Sequence, residues 1–205
     1  MLSGLASVVI GYLLGAIPAA YIVAKQRKGI DIREVGVRNM GGANVLREVG
    51  KWEGSLVLIV DMGKGALSVY IAQLLGVSYP WVLTAGFAAM LGHNYPVYIG
   101  FRGGKGVATV MGIFFALSPV AMGITTLIIG FILLFVRSYF VAIAITAPFF
   151  LLVICWVEGS AALIFYTLAI VAFQLFRSRH RLEEVRIITA RRVEELKGLA
   201  RKVKD

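Results

Sequence analysis

The chain is short of the residues from which most metal, redox and nucleophilic sites are built. Its 205 residues include one cysteine, Cys155, and two histidines, His93 and His180. A lone cysteine excludes an internal disulfide framework. Because Cys155 lies in an apolar run, it is expected to be a buried structural thiol. One cysteine and two distant histidines do not make a metal-ligand set, so no metal is expected. A Ser-His-Asp arrangement cannot be assembled from the spacing either. Acidic residues are also few, 11 against 21 Lys plus Arg, for a formal net charge of +10. In a soluble protein such a balance would raise nucleic acid as a partner. Here the charges lie between and after apolar runs, so membrane topology and anionic lipid headgroups account for them, and no nucleic-acid partner is expected. The N-terminus lacks the basic start and small-residue cleavage site of a signal peptide, so its apolar run reads as a retained span.

What the chain has in excess is apolar sequence. It is 59% hydrophobic with a mean hydropathy of +0.84, against about 45–50% apolar for soluble domains. A spanning helix needs about 20 mostly apolar residues. The runs predict an all-α membrane protein with seven transmembrane helices. The first is Leu5 to Ala24, with Pro18 tolerated inside it where neighbours satisfy the freed carbonyl. A polar loop, Lys25 to Glu53, leads to a second span, Gly54 to Leu75. A short turn follows, then a third span, Trp81 to Ile99. Ser118-Pro119 divides the next apolar run into a short fourth span, Gly106 to Leu117, and a fifth, Pro119 to Val136. Tyr139 to Val157 and Ser160 to Phe176 are the sixth and seventh. The spans form one domain over residues 1–178. The basic tail over 179–205, with apolar residues recurring from Leu182 to Val203, reads as an amphipathic helix lying on the membrane.

The cations test this arrangement. The 25–53 loop, the 100–106 turn, the 137–138 turn and the segment from Arg177 onward carry seven, two, one and ten of the 21 Lys plus Arg. The remaining one, Lys64, is inside the second span. All four segments fall on one side if the chain has seven spans, which places the N-terminus outside and the C-terminus in the cytoplasm.

Two loops on that cytoplasmic side are richer than connectors require. Gly92 to Thr109 reads GHNYPVYIGFRGGKGVAT. Three glycines around Lys105 are expected to leave backbone N–H groups free and close, a concave anion site. His93 and Arg102 flank it. GGKG lacks the spacing of a nucleotide P-loop and no strand precedes it. The loop over 25–53 carries Arg33, Arg38 and Arg47, whose guanidinium forks suit phosphate oxygens. Asn39 and Asn44 lie among Gly36, Gly41 and Gly42, residues that shape turns. A solvated charge anchor is the plainer reading of this loop. Asp61 and Lys64, at i and i+3 in the second span, share a helix face and can pair. An interior packing strut is the favoured reading of that pair.

Together these segments resemble the bacterial acyl-phosphate:glycerol-3-phosphate acyltransferases. The likeness runs from the first span to the start of the tail. GHNYPVYIGFRGGKGVAT is close to the family's second motif, and GIDIREVGVRNMGGANVLREVGK to its first. DMGKG at 61–65 also fits, and RHRLEEVRIITAR at 179–191 is similar to the third. The resemblance implies a multi-pass protein of the cell inner membrane with its active site facing the cytoplasm. It implies acyl transfer from acyl phosphate to the sn-1 hydroxyl of glycerol 3-phosphate among membrane lipids, giving lysophosphatidate and phosphate. No metal, cofactor or acyl-CoA is implied. His93, Lys105 and Arg47 match positions associated with catalysis. Arg38, Asn39, Asn44, Arg102, Gly103, Gly104, Gly106 and His180 are expected to bind substrate phosphate. The chain departs from the first motif's usual Gly-Ser-Gly-Asn at Val37 and Arg38, and from a Thr-Asn pair at Ala43. In the third motif Glu183 stands where Asn is usual. These departures leave open an acyltransferase with another phosphorylated acceptor, or a binder of phosphate lipids without turnover. A transporter is a third class, opposed by the clustering of motifs on one face and by the single intramembrane charge pair.

Overall fold

The computed structural model describes residues 1–135 and 139–177. The 137–138 turn and the tail from 178 on, with His180, Glu183 and the expected amphipathic helix, lie outside the described residues. The described chain is helical throughout: α1 (Leu2–Gly15), α2 (Ala19–Lys28), α3 (Gly42–Glu48), α4 (Lys51–Leu74), α5 (Tyr79–Asn94), α6 (Val107–Leu117), α7 (Pro119–Phe135), α8 (Tyr139–Val157) and α9 (Ala161–Arg177).

The expected first span is not one helix. It breaks between Gly15 and Ala19, with Pro18 capping α2. Proline has no N–H to donate and clashes with the preceding turn. The break exposes the Ile17 carbonyl, and Lys64 Nζ donates to it at 3.0 Å. The same ammonium lies 2.8 Å from Asp61 Oδ1. The pair within α4 therefore braces the break in the first apolar stretch, a strut with an identifiable load. The third expected span also ends early. α5 stops at Asn94, and Pro96 starts a short 3-10 turn, Val97–Ile99. The residue before a proline is pushed out of the helical region.

Side-chain size governs how the helices approach one another. Gly4, Ser7, Gly11 and Gly15 recur on one face of α1 and are buried against α5. A Cβ on Gly11 or Gly15 would strike the Ala85 or Ala89 carbonyl, and one on Gly92 the Tyr12 carbonyl. α4 and α6 use the same device reciprocally: Gly65 faces the Thr109 carbonyl and Gly112 the Met62 carbonyl. Lipid tails are as apolar as side chains, so close backbone approach by small residues, and not apolar burial alone, holds such helices together. α6 has 11 residues, about 16 Å of helix against roughly 30 Å of hydrocarbon. It is short and shielded, packed on α4.

The outer surface is apolar. Leu127, Phe135, Trp156 and Phe165 are each more than 70% exposed, a density of large hydrophobic side chains that suits lipid and not water. Cys155 belongs to this outer surface: it is exposed, not buried as expected. Its apolar run belongs to a helix with one face turned outward, and composition alone does not say which face.

Two cores lie within. The larger joins α4 through α9 around Met90, Ile113, Phe114 and Ile154. The smaller lies under the 25–53 loop and packs Ala20, Ala24, Ile32, Met40, Val45 and Val57. Ile32, Met40 and Val45 are at most 2% exposed. The loop is a folded unit with its own interior, which a solvated charge anchor would not have.

Candidate active site

The first loop is organised by Asn44. Its side chain is buried. Nδ2 lies 3.1 Å from each of the Ile32, Val35 and Asn39 carbonyls, and Oδ1 accepts from the Val37 N–H at 3.2 Å. The amide expected to meet phosphate instead ties the loop into shape. Val37 enters this knot through its backbone, so the loop closes without the hydroxyl usual at that position. Arg38 has φ 52, in the left-handed region, at the position where the first motif usually has glycine. The backbone keeps the glycine-type turn, and the guanidinium is exposed. Arg47, on the last turn of α3, is also exposed, and Asn39 is half-buried.

The second loop folds back on α5. The Gly103 N–H donates to the Asn94 carbonyl at 3.2 Å and the Gly104 N–H to the His93 carbonyl at 3.1 Å. These two amides cap the C-terminus of α5, where the last carbonyls have no partner within the helix. They are not the free anion-facing N–H groups expected from the sequence. Gly106, at φ 77, caps α6 without a side-chain hydrogen bond. The first-turn amides of α6, led by Val107 and Ala108, are therefore the backbone donors of this loop that have no partner within a helix. Lys105 is half-buried beside them.

The two loops interlock. A Cβ on Gly104 would collide with His93 Nε2 on one side and with the Met40 carbonyl of the first loop on the other. Arg33 forms a second fastening. Nε and Nη2 engage the Asp31 carboxylate at 2.8–3.2 Å, Nη1 donates to the Ile99 carbonyl at 2.9 Å, and the guanidinium lies 5.0 Å from the Tyr21 ring. The Arg33 hydrogen bonds hold the Asp31 carboxyl below its ordinary value, against the opposing effect of burial. Arg102 supplies a third link, to Glu34 at 3.1 Å. That cation, expected at phosphate, is paired across the loop junction.

His93 is 3% exposed and stands behind Gly104. Its Nδ1 is 3.5 Å from Asp61 Oδ1, too long for a good hydrogen bond, and Nδ1 has no other hydrogen-bond partner among the described residues. Asp61 thus lies between Lys64 and His93. The sequence pairs the first two by helical spacing, but the third comes from another helix and has no spacing signal. Met40, Asn94, Gln174 and Arg177 are further residues at the site that sequence reading passed over. Only helical register, Met90 to Asn94 and Gln174 to Arg177, hints at the last three. Among the described residues no three His, Cys, Asp or Glu side chains gather as metal ligands.

An apolar helical bundle carrying two interlocked, cation-bearing, glycine-shaped loops defines a class of protein that handles a charged group at an apolar surface. A family model described as glycerol-3-phosphate acyltransferase matches residues 5–190, and the chain belongs to that family. It is 40% identical to a glycerol-3-phosphate acyltransferase of Endomicrobium trichonymphae over 87% of this chain and 90% of that one. It is similar to the crystal structure of PlsY, an integral membrane glycerol 3-phosphate acyltransferase, in its glycerol 3-phosphate form. That match has a TM-score of 0.82 and 36% identity over 92% of this chain and 94% of that one. The lysophosphatidic acid form of the same protein matches with a TM-score of 0.80, 35% identity and 92% and 93% coverage.

Proposed function

We propose that this glycerol-3-phosphate acyltransferase takes its acyl group from an acyl phosphate and works as a seven-span protein of the cell inner membrane, with its active site in the cytoplasm. The sn-1 hydroxyl oxygen of glycerol 3-phosphate attacks the acyl carbonyl carbon. The carbon–oxygen bond to phosphate breaks, the phosphate leaves with the electron pair, and the hydroxyl proton passes to it. The products are lysophosphatidate and inorganic phosphate.

The observation that carries this reading is the seating of Gly104 between His93 and the Met40 carbonyl. It brings Lys105 and the first turn of α6 together with the loop that bears Arg38 and Arg47. Both substrates carry phosphate, and charge builds on the departing one. Cations and oriented amides already in place stabilise that charge without reorganising during the reaction. In this scheme Lys105, Arg47 and the α6 amides meet phosphate, with Asn39 at the rim and His180 contributed by the tail. His93 holds the Gly104 backbone from behind. Asn44 and Arg102 shape the site without touching substrate.

The test is purified protein supplied with acyl phosphate and glycerol 3-phosphate. Phosphate release coupled to lysophosphatidate is expected, and Lys105→Ala should reduce kcat/KM by about 100-fold or more. Release that is unchanged in Lys105→Ala would reject the assignment of the phosphate site. Turnover with an acyl thioester but none with acyl phosphate would reject the donor.

A further inference from the structure

Between α5 and α9 lies a line of buried polar groups that the acyl-transfer scheme does not use. Among the described residues, both side-chain atoms of Asn94, the Gln174 Oε1, the Arg177 Nε and the Tyr166 hydroxyl have no hydrogen-bond partner. Asn94 is fully buried. These groups belong to one seam. Gly86, Met90 and Asn94 recur every four residues on α5. A Cβ on Gly86 would sit 2.9 Å from the Tyr166 hydroxyl, and Gln174 Nε2 is 3.9 Å from Met90 Sδ. Arg177 Nη2 donates to the Asn94 carbonyl at 3.4 Å, and its guanidinium lies 4.9 Å from the Tyr95 ring. The seam ends at the catalytic loop: a Cβ on Gly106 would meet Asn94 Oδ1 at 2.8 Å and Gln174 Nε2 at 3.6 Å.

Buried polar atoms in folded proteins almost always have partners, and the need is greater where the surroundings are apolar. A fully buried asparagine with neither side-chain atom satisfied therefore points to a bound group. The donor set says what kind. Asn94 Oδ1 and Gln174 Oε1 accept, so they call for a hydroxyl that donates. Asn94 Nδ2 and Arg177 Nε donate, so they call for a hydroxyl or anionic oxygen. A polyol carrying a nearby negative charge meets all four. Gln174 and Arg177 are only half-buried, which leaves the seam an opening along α9.

We propose that Asn94, Gln174 and Arg177 form a subsite that reads the secondary hydroxyl of the acceptor and so sets acceptor specificity. The inference rests on the acyl-transfer reading for the identity of the acceptor, but it uses residues that reading leaves idle. A site built to hydrogen-bond a hydroxyl discriminates against the analogue lacking it, because its own polar groups are then left unpaired.

The experiment is calorimetric binding of glycerol 3-phosphate and of 3-hydroxypropyl phosphate, which lacks the secondary hydroxyl, to the purified full chain. The variants are Gln174→Leu and Asn94→Leu, each checked for its thermal midpoint. The unaltered protein is expected to favour glycerol 3-phosphate by roughly tenfold. Each variant should lose that preference while binding the deoxy analogue as before. If Asn94→Leu does not fold, Gln174→Leu, at a half-buried position, carries the test. Equal binding of the two ligands by the unaltered protein overturns the proposal, as does no binding of either. It is also overturned if Gln174→Leu keeps the preference, or weakens both ligands alike; the seam then holds only ordered water. Discrimination in binding without acyl transfer would reject the transfer reading and leave the subsite standing.

Discussion

Arg38 shows how a single residue can depart from a motif while the backbone keeps it. Its φ of 52 is a conformation that costs a side-chain-bearing residue about 1–2 kcal/mol. Glycine would relieve that strain, but it would add unfolded-state freedom worth about 0.5–1 kcal/mol. The two effects nearly cancel, so stability does not decide the choice at this position. In the proposed scheme charge does: an exposed guanidinium beside a substrate phosphate contributes about 1 kcal/mol in high dielectric. Arg38→Gly is expected to leave the thermal midpoint within a few degrees while raising the KM for phosphate-bearing substrate by about fivefold. Steady-state kinetics and a melting curve on the same sample check both halves. Asn44 makes the complementary point. Its position in the motif reads as a ligand, but four backbone groups occupy its amide. Neither role was separable in the sequence, because an asparagine that shapes a turn and one that meets a ligand look the same there.

Among the elements, the first loop depends on its fastening to the second. Arg33 joins Asp31, Tyr21 and the Ile99 carbonyl in one clamp. Asp31 is held below its ordinary value of 3.8 chiefly by the Arg33 hydrogen bonds. A carboxyl depressed in the folded state adds stability that is fully present above its unfolded value and is lost as pH falls through the folded one. The unaltered protein should therefore be more stable than Asp31→Asn at neutral pH. The difference should shrink below pH 3.8, as thermal denaturation across an acid series would show; a constant gap down to lower pH would count against the clamp. α4 carries a second coupling. Lys64 joins the Ile17 carbonyl at the helix break to Asp61, and Asp61 faces His93. Helical spacing revealed the Asp61–Lys64 pair. Its load and its neighbour came from the break between α1 and α2 and from α5, which the spacing of α4 does not contain.

For the whole molecule, the orientation proposed for the membrane is argued from charge. Holding basic loops on the side where chains retain Lys and Arg requires an odd number of spans with the N-terminus outside. In a Cys155→Ser background, a membrane-impermeant maleimide applied to intact cells is expected to label Ser78→Cys, in the α4–α5 turn, and to spare Arg27→Cys, at the end of α2. Labelling of Arg27→Cys from outside would invert the topology. The sequence by itself determined the helical class, the positions of the two polar loops and the family, because apolar runs, cation counts and glycine-rich motifs are local and survive without a fold. Tertiary structure decided which backbone amides of the second loop are already engaged. Gly103 and Gly104 give theirs to the end of α5, a role visible only when the loop folds back on that helix. It also decided that Arg102 is paired, that Cys155 faces outward, that Asn94 and Gln174 come together at Gly106, and that Arg177 donates to the Asn94 carbonyl. Each of these is a contact between segments far apart in the chain, fixed by how closely the glycine-faced helices pack, and no local pattern encodes such distances.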